Sequence, residues 1–266
     1  MIDLHLVRSI LFLPASNPRA IAKARECAAD LIVLDLEDAV RRADKDLARQ
    51  AAVDAVEDVW DKPVAIRTNG IGSEWHEADV SAVAQSKAGL AVLPRAASAS
   101  GVKSVQEALG KPLLAMIETA AGVLAAPEIA REVCGLIAGT NDLAADLRLP
   151  PGGGRAPLQT ALQSIVLAAR AEKIAVFDGV FNALTDPEGF IAEAVEGRRL
   201  GFDGKSLIHP GQIEPCHRAF APSQAEVERA RRLIAASTGG AERFEDQMIE
   251  RMHVEAARRL LERVTS

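Results

Sequence analysis

Residues 31–38, LIVLDLED, run as four apolar residues followed by three acids within four positions. A strand with one wet face alternates apolar and polar residues, whereas a parallel strand covered on both faces reads as an unbroken apolar run. Seven further stretches share the design, with polar residues gathered at their C-terminal ends: 9–14 (SILFLP), 64–70 (VAIRTNG), 89–95 (GLAVLPR), 112–119 (PLLAMIET), 135–141 (GLIAGTN), 175–180 (AVFDGV) and 201–208 (GFDGKSLI). Between them lie helical patterns. Residues 43–56, 158–173 and 224–236 carry apolar side chains at three- and four-residue spacing, the mark of a helix with one buried face. Asn17-Pro18 and Asp186-Pro187 each read as an N-cap followed by proline at the first helical position. Eight βα units in about 240 residues predict an α/β protein of the (β/α)8 TIM-barrel type. An open doubly wound sheet is the alternative, but the first strand ends Leu13-Pro14-Ala15-Ser16 and lacks the G-x-G-x-x-G fingerprint.

Two segments stand outside the repeat. Residues 150–154, PPGGG, suit neither helix nor central strand and are expected to form a loop. Beyond Thr238-Gly239-Gly240 the chain resumes and ends in the amphipathic HVEAARRLLERV. The expected division is a catalytic barrel over 1–237 and a C-terminal helical extension over 238–266, packing on the barrel mouth or on a neighbouring subunit.

Composition narrows the function classes. With 266 residues, 48% hydrophobic and 26% charged, the chain can bury roughly 75% of its unfolded surface without staples. A net charge of −6 gives no general attraction to nucleic acid or anionic lipid, and 3% aromatics with no Tyr offer no stacking platform for bases. Cys27, Cys134 and Cys216 are far apart, which argues against a disulfide framework and against a zinc ribbon. No apolar run approaches the roughly 18 residues needed to span a bilayer. The expectation is a cytoplasmic protein with no nucleic-acid or membrane partner.

In a TIM barrel the chemistry sits at the C-terminal ends of the strands. The charged residues placed there are Asp35, Glu37, Asp38, Arg67, Arg95, Glu118, Asp142 and Asp178. A ring of carboxylates without histidine suits Mg2+, which takes one or two carboxylates and completes its shell with water and substrate oxygens. Glu118 and Asp142, on adjacent strands, are the economical pair. Arg67 ends an apolar strand, so it either bonds an acid such as Glu37 or meets an anionic substrate. Strand alternation sets Asp35 opposite Asp38, so these acids are not all expected to face the site. His209, before Pro210, reads as turn packing.

The motifs RSILFLPASNPRAIAKA (8–24), LIVLDLEDAV (31–40), IRTNGIGSEWHEADV (66–80), VLPRAAS (92–98), MIETAAGVLAAPEIA (116–130), GTNDLAADL (139–147) and GFDGKSLIHPGQI (201–213) together resemble the citrate lyase beta-subunit-like branch of the HpcH/HpaI aldolase superfamily. The resemblance implies a TIM barrel assembled as a homotrimer or hexamer, with Mg2+ held by Glu118 and Asp142 and a substrate-binding Arg67. It also places Arg19 and Lys23 near coenzyme A phosphates, counts Pro14 and Asp38 among substrate contacts, and sets His209 in the loop near the same ligand. The implied reaction is carbon–carbon cleavage of a short carboxylated 3-hydroxyacyl thioester of coenzyme A, of the citryl, citramalyl or malyl kind, to an acyl thioester and a 2-oxo acid. Thioester hydrolysis at the same site, or a non-catalytic acyl-CoA-binding role in a larger lyase complex, is the alternative.

Arg67, Glu37 and Glu250 are the catalytic candidates. The family's base is an Asp in a C-terminal G-x-M-I-D motif, matched here by Asp246-Gln247-Met248-Ile249-Glu250. Glu250 acts with one more methylene, or Asp246 substitutes, or the base is lost. The pyruvate-aldolase branch carries Glu-His after its second strand. Glu37-Asp38 stands there in this chain, which argues against that branch.

Overall fold

The computed structural model describes residues 3–264. The chain forms two compact units, Met1–Ala219 and Phe220–Ser266.

In the first unit, eight strands close into a barrel in sequence order: β1 Ser9–Pro14, β2 Leu31–Asp35, β3 Val64–Arg67, β4 Leu90–Leu93, β5 Leu113–Ile117, β6 Gly135–Ala138, β7 Ala175–Asp178 and β8 Gly204–Leu207. Every neighbouring pair is parallel, including the closing pair β1 and β8. All eight apolar runs are therefore strands, each shorter at one or both ends than its run except β1. The helices of this unit are α1 Pro18–Glu26, α2 Lys45–Glu57, α3 His76–Gln85, α4 Ala99–Leu109, α5 Ala120–Leu124, α6 Ala126–Ile129, α7 Thr140–Asp146, α8 Gln159–Ala171 and α9 Pro187–Leu200. The predicted N-caps hold: Asn17 Oδ1 accepts from Ala20 N at 3.1 Å and Asp186 Oδ1 from Gly189 N at 2.9 Å. The PPGGG segment joins α7 to α8 without regular structure.

The barrel interior is filled by layers of inward-facing side chains, among them Ile10, Val33, Val92, Leu114, Ile137 and Phe177, with Val7 beneath. A second buried group is ionic. Lys205, fully buried on β8, donates to Asp178 Oδ2 at 3.0 Å and to Glu193 of α9 at 2.7 Å, and Arg155 reaches Asp178 Oδ1 at 2.6 Å. Asp178 was expected among the charges at the barrel mouth. Instead its carboxylate faces α9, where a Cβ at Gly197 would lie 2.6 Å from Oδ2. It ties α9 and the segment before α8 to the barrel wall.

α10, Ile213–Phe220, runs to the division between the units. The second unit holds α11 Gln224–Ala236, an antiparallel hairpin of β9 Glu242–Phe244 and β10 Gln247–Ile249, and α12 Arg251–Glu262. Its cluster joins Ala230 and Leu233 of α11 to Ile249 and Ala257. The sequence boundary at 237/238 falls at the end of α11, whereas the compact unit takes α11 in because that helix supplies half of this apolar cluster.

Candidate active site

The C-terminal ends of the barrel strands surround a cavity of about 360 Å³. Glu118 follows β5 directly, is 3% exposed, and accepts a hydrogen bond from Arg95 N at 2.6 Å. Arg95 reaches that position from the end of β4 with φ 51, in the left-handed region that non-glycine residues seldom occupy. Its guanidinium then turns to Asp142, with Nη2 donating to Oδ1 at 2.7 Å. One residue therefore touches both acids, its backbone on one and its side chain on the other. Asp142 stands in the first turn of α7, after β6. Burial pushes the Glu118 carboxyl up to about 7, the Arg95 N–H opposes that, and Asp142 nearby adds to it. Gly139, the N-cap of α7, lies against Glu118, and a Cβ there would collide with the Glu118 side chain.

Arg67 ends β3 at 8% exposure. Its fork is met by Asp35 at the end of β2, register partner of Arg67, with Nε to Oδ1 and Nη2 to Oδ2 both 2.6 Å. This is the planar two-bond pairing for which guanidinium is suited. Asp35 also accepts Glu37 N at 2.8 Å and Ala39 N at 3.0 Å, fixing the turn after β2. Arg67 Nη1 lies 2.9 Å from Glu37 Oε2, and no hydrogen bond is aligned to that oxygen. Burial pushes the Glu37 carboxyl up to about 8 although Arg67 pulls the other way. Beneath the turn, Lys45 Nζ donates to the carbonyls of Leu36 and Glu37 and to Asn69 Oδ1, each at 2.7 Å. The turn is thus braced from both sides.

Glu118, Asp142, Arg67, Asp35, Asp38 and Pro14 all line the one cavity, and Glu37 lies against Arg67 at its edge. Asp35 and Asp38 do not lie on opposite sides as strand alternation predicted: β2 ends at Asp35, so the period of two no longer applies to residues 36–38, and both acids reach the cavity. Arg67 takes Asp35 as its main partner, where the sequence offered Glu37. Arg19 and Lys23 are exposed on α1, outside the cavity lining. His209 is exposed, and its Nδ1 accepts from Gly211 N at 3.0 Å, capping a short 3-10 turn. In the second unit, Glu250 is exposed at the N-cap of α12, where it forms a capping box with His253. Asp246 is exposed in the hairpin turn and pairs with Arg243 at 3.3 Å.

Two features escaped the sequence reading. The bridging role of Arg95 depends on a backbone angle that no residue pattern encodes. Ser206, a buried hydroxyl lining the cavity, was readable only as the one hydroxyl in a strand-end run, GKSLI.

Residues 8–210 match the HpcH/HpaI aldolase/citrate lyase family, and residues 155–266 match a carbon–carbon bond lyase family of the TIM-barrel fold. The chain is 42% identical over 268 residues to a (3S)-malyl-CoA thioesterase of Cereibacter sphaeroides, covering 97% of this chain and 94% of the relative. It is 35% identical to a citrate lyase subunit beta of Escherichia coli over 88% of this chain and 83% of the relative. The crystal structure of the Mycobacterium tuberculosis protein CitE, in complex with magnesium, acetoacetate and coenzyme A, aligns with a TM-score of 0.87 at 33% identity, over 98% of this chain and 100% of that one. Family match, barrel and ordered motifs agree, and the chain belongs to the HpcH/HpaI aldolase/citrate lyase family, in its citrate lyase beta-subunit-like branch.

Proposed function

We propose that the protein is a Mg2+-dependent carbon–carbon lyase acting on a short carboxylated 3-hydroxyacyl-CoA thioester. The observation that carries the reading is the pair of acids, Glu118 and Asp142, joined through Arg95 at the barrel mouth with Arg67 in the same cavity. The donor set fits the ion: two acidic side chains, one of them buried, with no thiol or imidazole among the described residues that line the cavity. Glu118 and Asp142 would hold Mg2+, which when bound supplies Lewis-acid polarisation of the substrate's hydroxyl and carboxylate oxygens.

The remaining work falls to side chains. Arg67, locked on Asp35, offers Nη1 to the oxygen on which charge develops, and its fixed orientation means no reorganisation during reaction. In the cleavage direction the 3-hydroxyl proton passes to a base and the hydroxyl carbon becomes a carbonyl. The bond between carbons 2 and 3 breaks, and its electron pair is left on the acyl thioester until carbon 2 is protonated. The base proposed is Glu250 of the C-terminal unit, in the position of the family's Asp. Glu37, with its carboxyl near 8 beside Arg67, adds a group able to hold or give a proton at neutral pH. Arg19 and Lys23 would meet the coenzyme A phosphates, and His209 would lie near the same ligand. A cytoplasmic homotrimer or hexamer is the proposed form, supported by the family resemblance.

Thioester hydrolysis is the second reading, favoured by the 42% identity to a malyl-CoA thioesterase. Incubation with (3S)-malyl-CoA and Mg2+ separates the two. Cleavage gives acetyl-CoA and glyoxylate with no free thiol, and hydrolysis gives free coenzyme A and malate. Absence of both product pairs with malyl-, citramalyl- and citryl-CoA would refute the proposal.

Gly139→Ala tests the metal assignment from the neighbouring strand. Gly139 has φ −95, which alanine adopts without strain, so the effect is steric alone. The added methyl displaces the Glu118 side chain, and overpacking of this kind costs about 1–3 kcal/mol. The expected outcome is a folded barrel whose melting temperature no longer rises with Mg2+. A variant that keeps the full wild-type Mg2+ response would place the ion elsewhere.

A further inference from the structure

Ser206 lies on β8, 1% exposed, and lines the cavity. Its Oγ is buried and has no hydrogen-bond partner among the described residues. Two other buried hydroxyls of this unit are paired: Ser9 Oγ lies 2.8 Å from His217 Nε2, and Ser86 Oγ donates to Val83 O at 2.9 Å. Thr68 and Ser73 share the unpartnered state but do not line the cavity. A buried polar group left unmade costs free energy, and a hydroxyl in that state at a cavity wall is one that a ligand can satisfy.

Its place in the ring indicates which part of a ligand. β8 is three strands round the closed barrel from β3, which carries Arg67, and three from β5, which precedes Glu118. Ser206 therefore faces those groups across the cavity, from a wall that also carries Phe12, Val180 and Ile208, with Asn182 beyond Val180. Beside β1, the neighbour of β8, a second groove shares Pro14 and Ala39 with the cavity and runs past Asn17, Pro18 and Arg41. A substrate with its carboxylated end on the acids and Arg67, and its long arm leaving through that groove, carries its thioester group past β1 and β8. On the proposed reading of the site, we infer that Ser206 donates a hydrogen bond to the thioester carbonyl oxygen of the substrate.

The contact serves either reaction. Carbon–carbon cleavage delocalises the released electron pair onto that oxygen, and hydrolysis places the charge there when water attacks the carbonyl carbon. In both, the hydroxyl is a donor aimed at charge that grows in the transition state.

The test is Ser206→Ala in the full chain with Mg2+. Because the hydroxyl is unpartnered in the free protein, its removal should leave the melting temperature unchanged or higher. With (3S)-malyl-CoA, kcat should fall by about 10²-fold. By calorimetry, acetyl-CoA should bind about tenfold more weakly while glyoxylate binds as to wild type. A kcat within about twofold of wild type, or weakened glyoxylate with unchanged acetyl-CoA, would overturn the assignment. If the wild type turns over no acyl-CoA, the proposed function fails by itself. The acetyl-CoA titration still decides the role of Ser206, since equal affinity in the two proteins overturns it.

Discussion

Glu118→Gln is expected to cut turnover by about 10³-fold or more, the rate equivalent of several kcal/mol of lost Lewis-acid stabilisation. The substitution keeps shape and volume, and the amide oxygen can still accept from Arg95 N, so the loss reports the charge. The same variant should be more stable than wild type in the absence of metal, in a pH-dependent way. Burial holds the Glu118 carboxyl up to about 7, above its value of 4.5 in the unfolded chain. Below pH 4.5 the group is protonated in both states and contributes nothing to the difference. As pH rises from 4.5 towards 7 the unfolded chain ionises first, so the wild type loses stability; above 7 that loss is complete. Glutamine has no such loss. Urea unfolding in EDTA at pH 5 and pH 8 should therefore show the variant's advantage growing at the higher pH. Added Mg2+ should reverse the order by stabilising the wild type alone. Equal stabilisation of both proteins by Mg2+ would remove Glu118 from the metal site.

The same residue shows what could be read in advance. Glu118, Asp142 and Arg67 were legible because a barrel places chemistry at strand ends, and the strands announce themselves as apolar runs that turn polar. That rule gives position along the strand and says little about what lies beyond its last residue. Asp35 and Asp38 were set on opposite sides because alternation was carried past the end of β2, where the turn held by Asp35 itself takes over. Asp178 satisfies the rule by position, yet it turns outward because Lys205 and Arg155 are buried against it. Neither cation stands near Asp178 in sequence. The β9–β10 hairpin was also invisible, since its turn is Glu245-Asp246 with Glu245 at φ 54, in place of the Asn-Gly or Asp-Gly pair that marks such turns.

The cluster around Arg67 makes the other large prediction, because it couples stability to function. Arg67→Met removes the cation shared by Asp35 and Glu37, and breaking a buried pair from one side costs about 3–5 kcal/mol. Methionine keeps the unbranched stem and much of the volume, so this cost is mainly that of two carboxylates left without their partner. Without the guanidinium, which now pulls it down, the Glu37 carboxyl should move further above its present value of about 8. A raised carboxyl destabilises progressively until the folded group ionises, which wild type does near 8 and the variant only at higher pH. The deficit of Arg67→Met against wild type should therefore stay level from pH 5 to 7 and grow as pH rises above 8. Arg67→Lys separates charge from geometry. It restores a cation but cannot present two parallel N–H bonds to Asp35 while also directing a donor into the cavity. It should recover much of the stability yet remain about 10²- to 10³-fold slower in kcat, the usual cost of one misplaced charge-stabilising donor. If instead the methionine variant showed one deficit at every pH, Arg67 would be acting through its packing on Phe12, whose ring lies 5.3 Å from the guanidinium carbon, and on Met116. The lysine variant would then fail to recover stability, and the account of a guanidinium held ready by Asp35 for substrate oxygen would have to be abandoned.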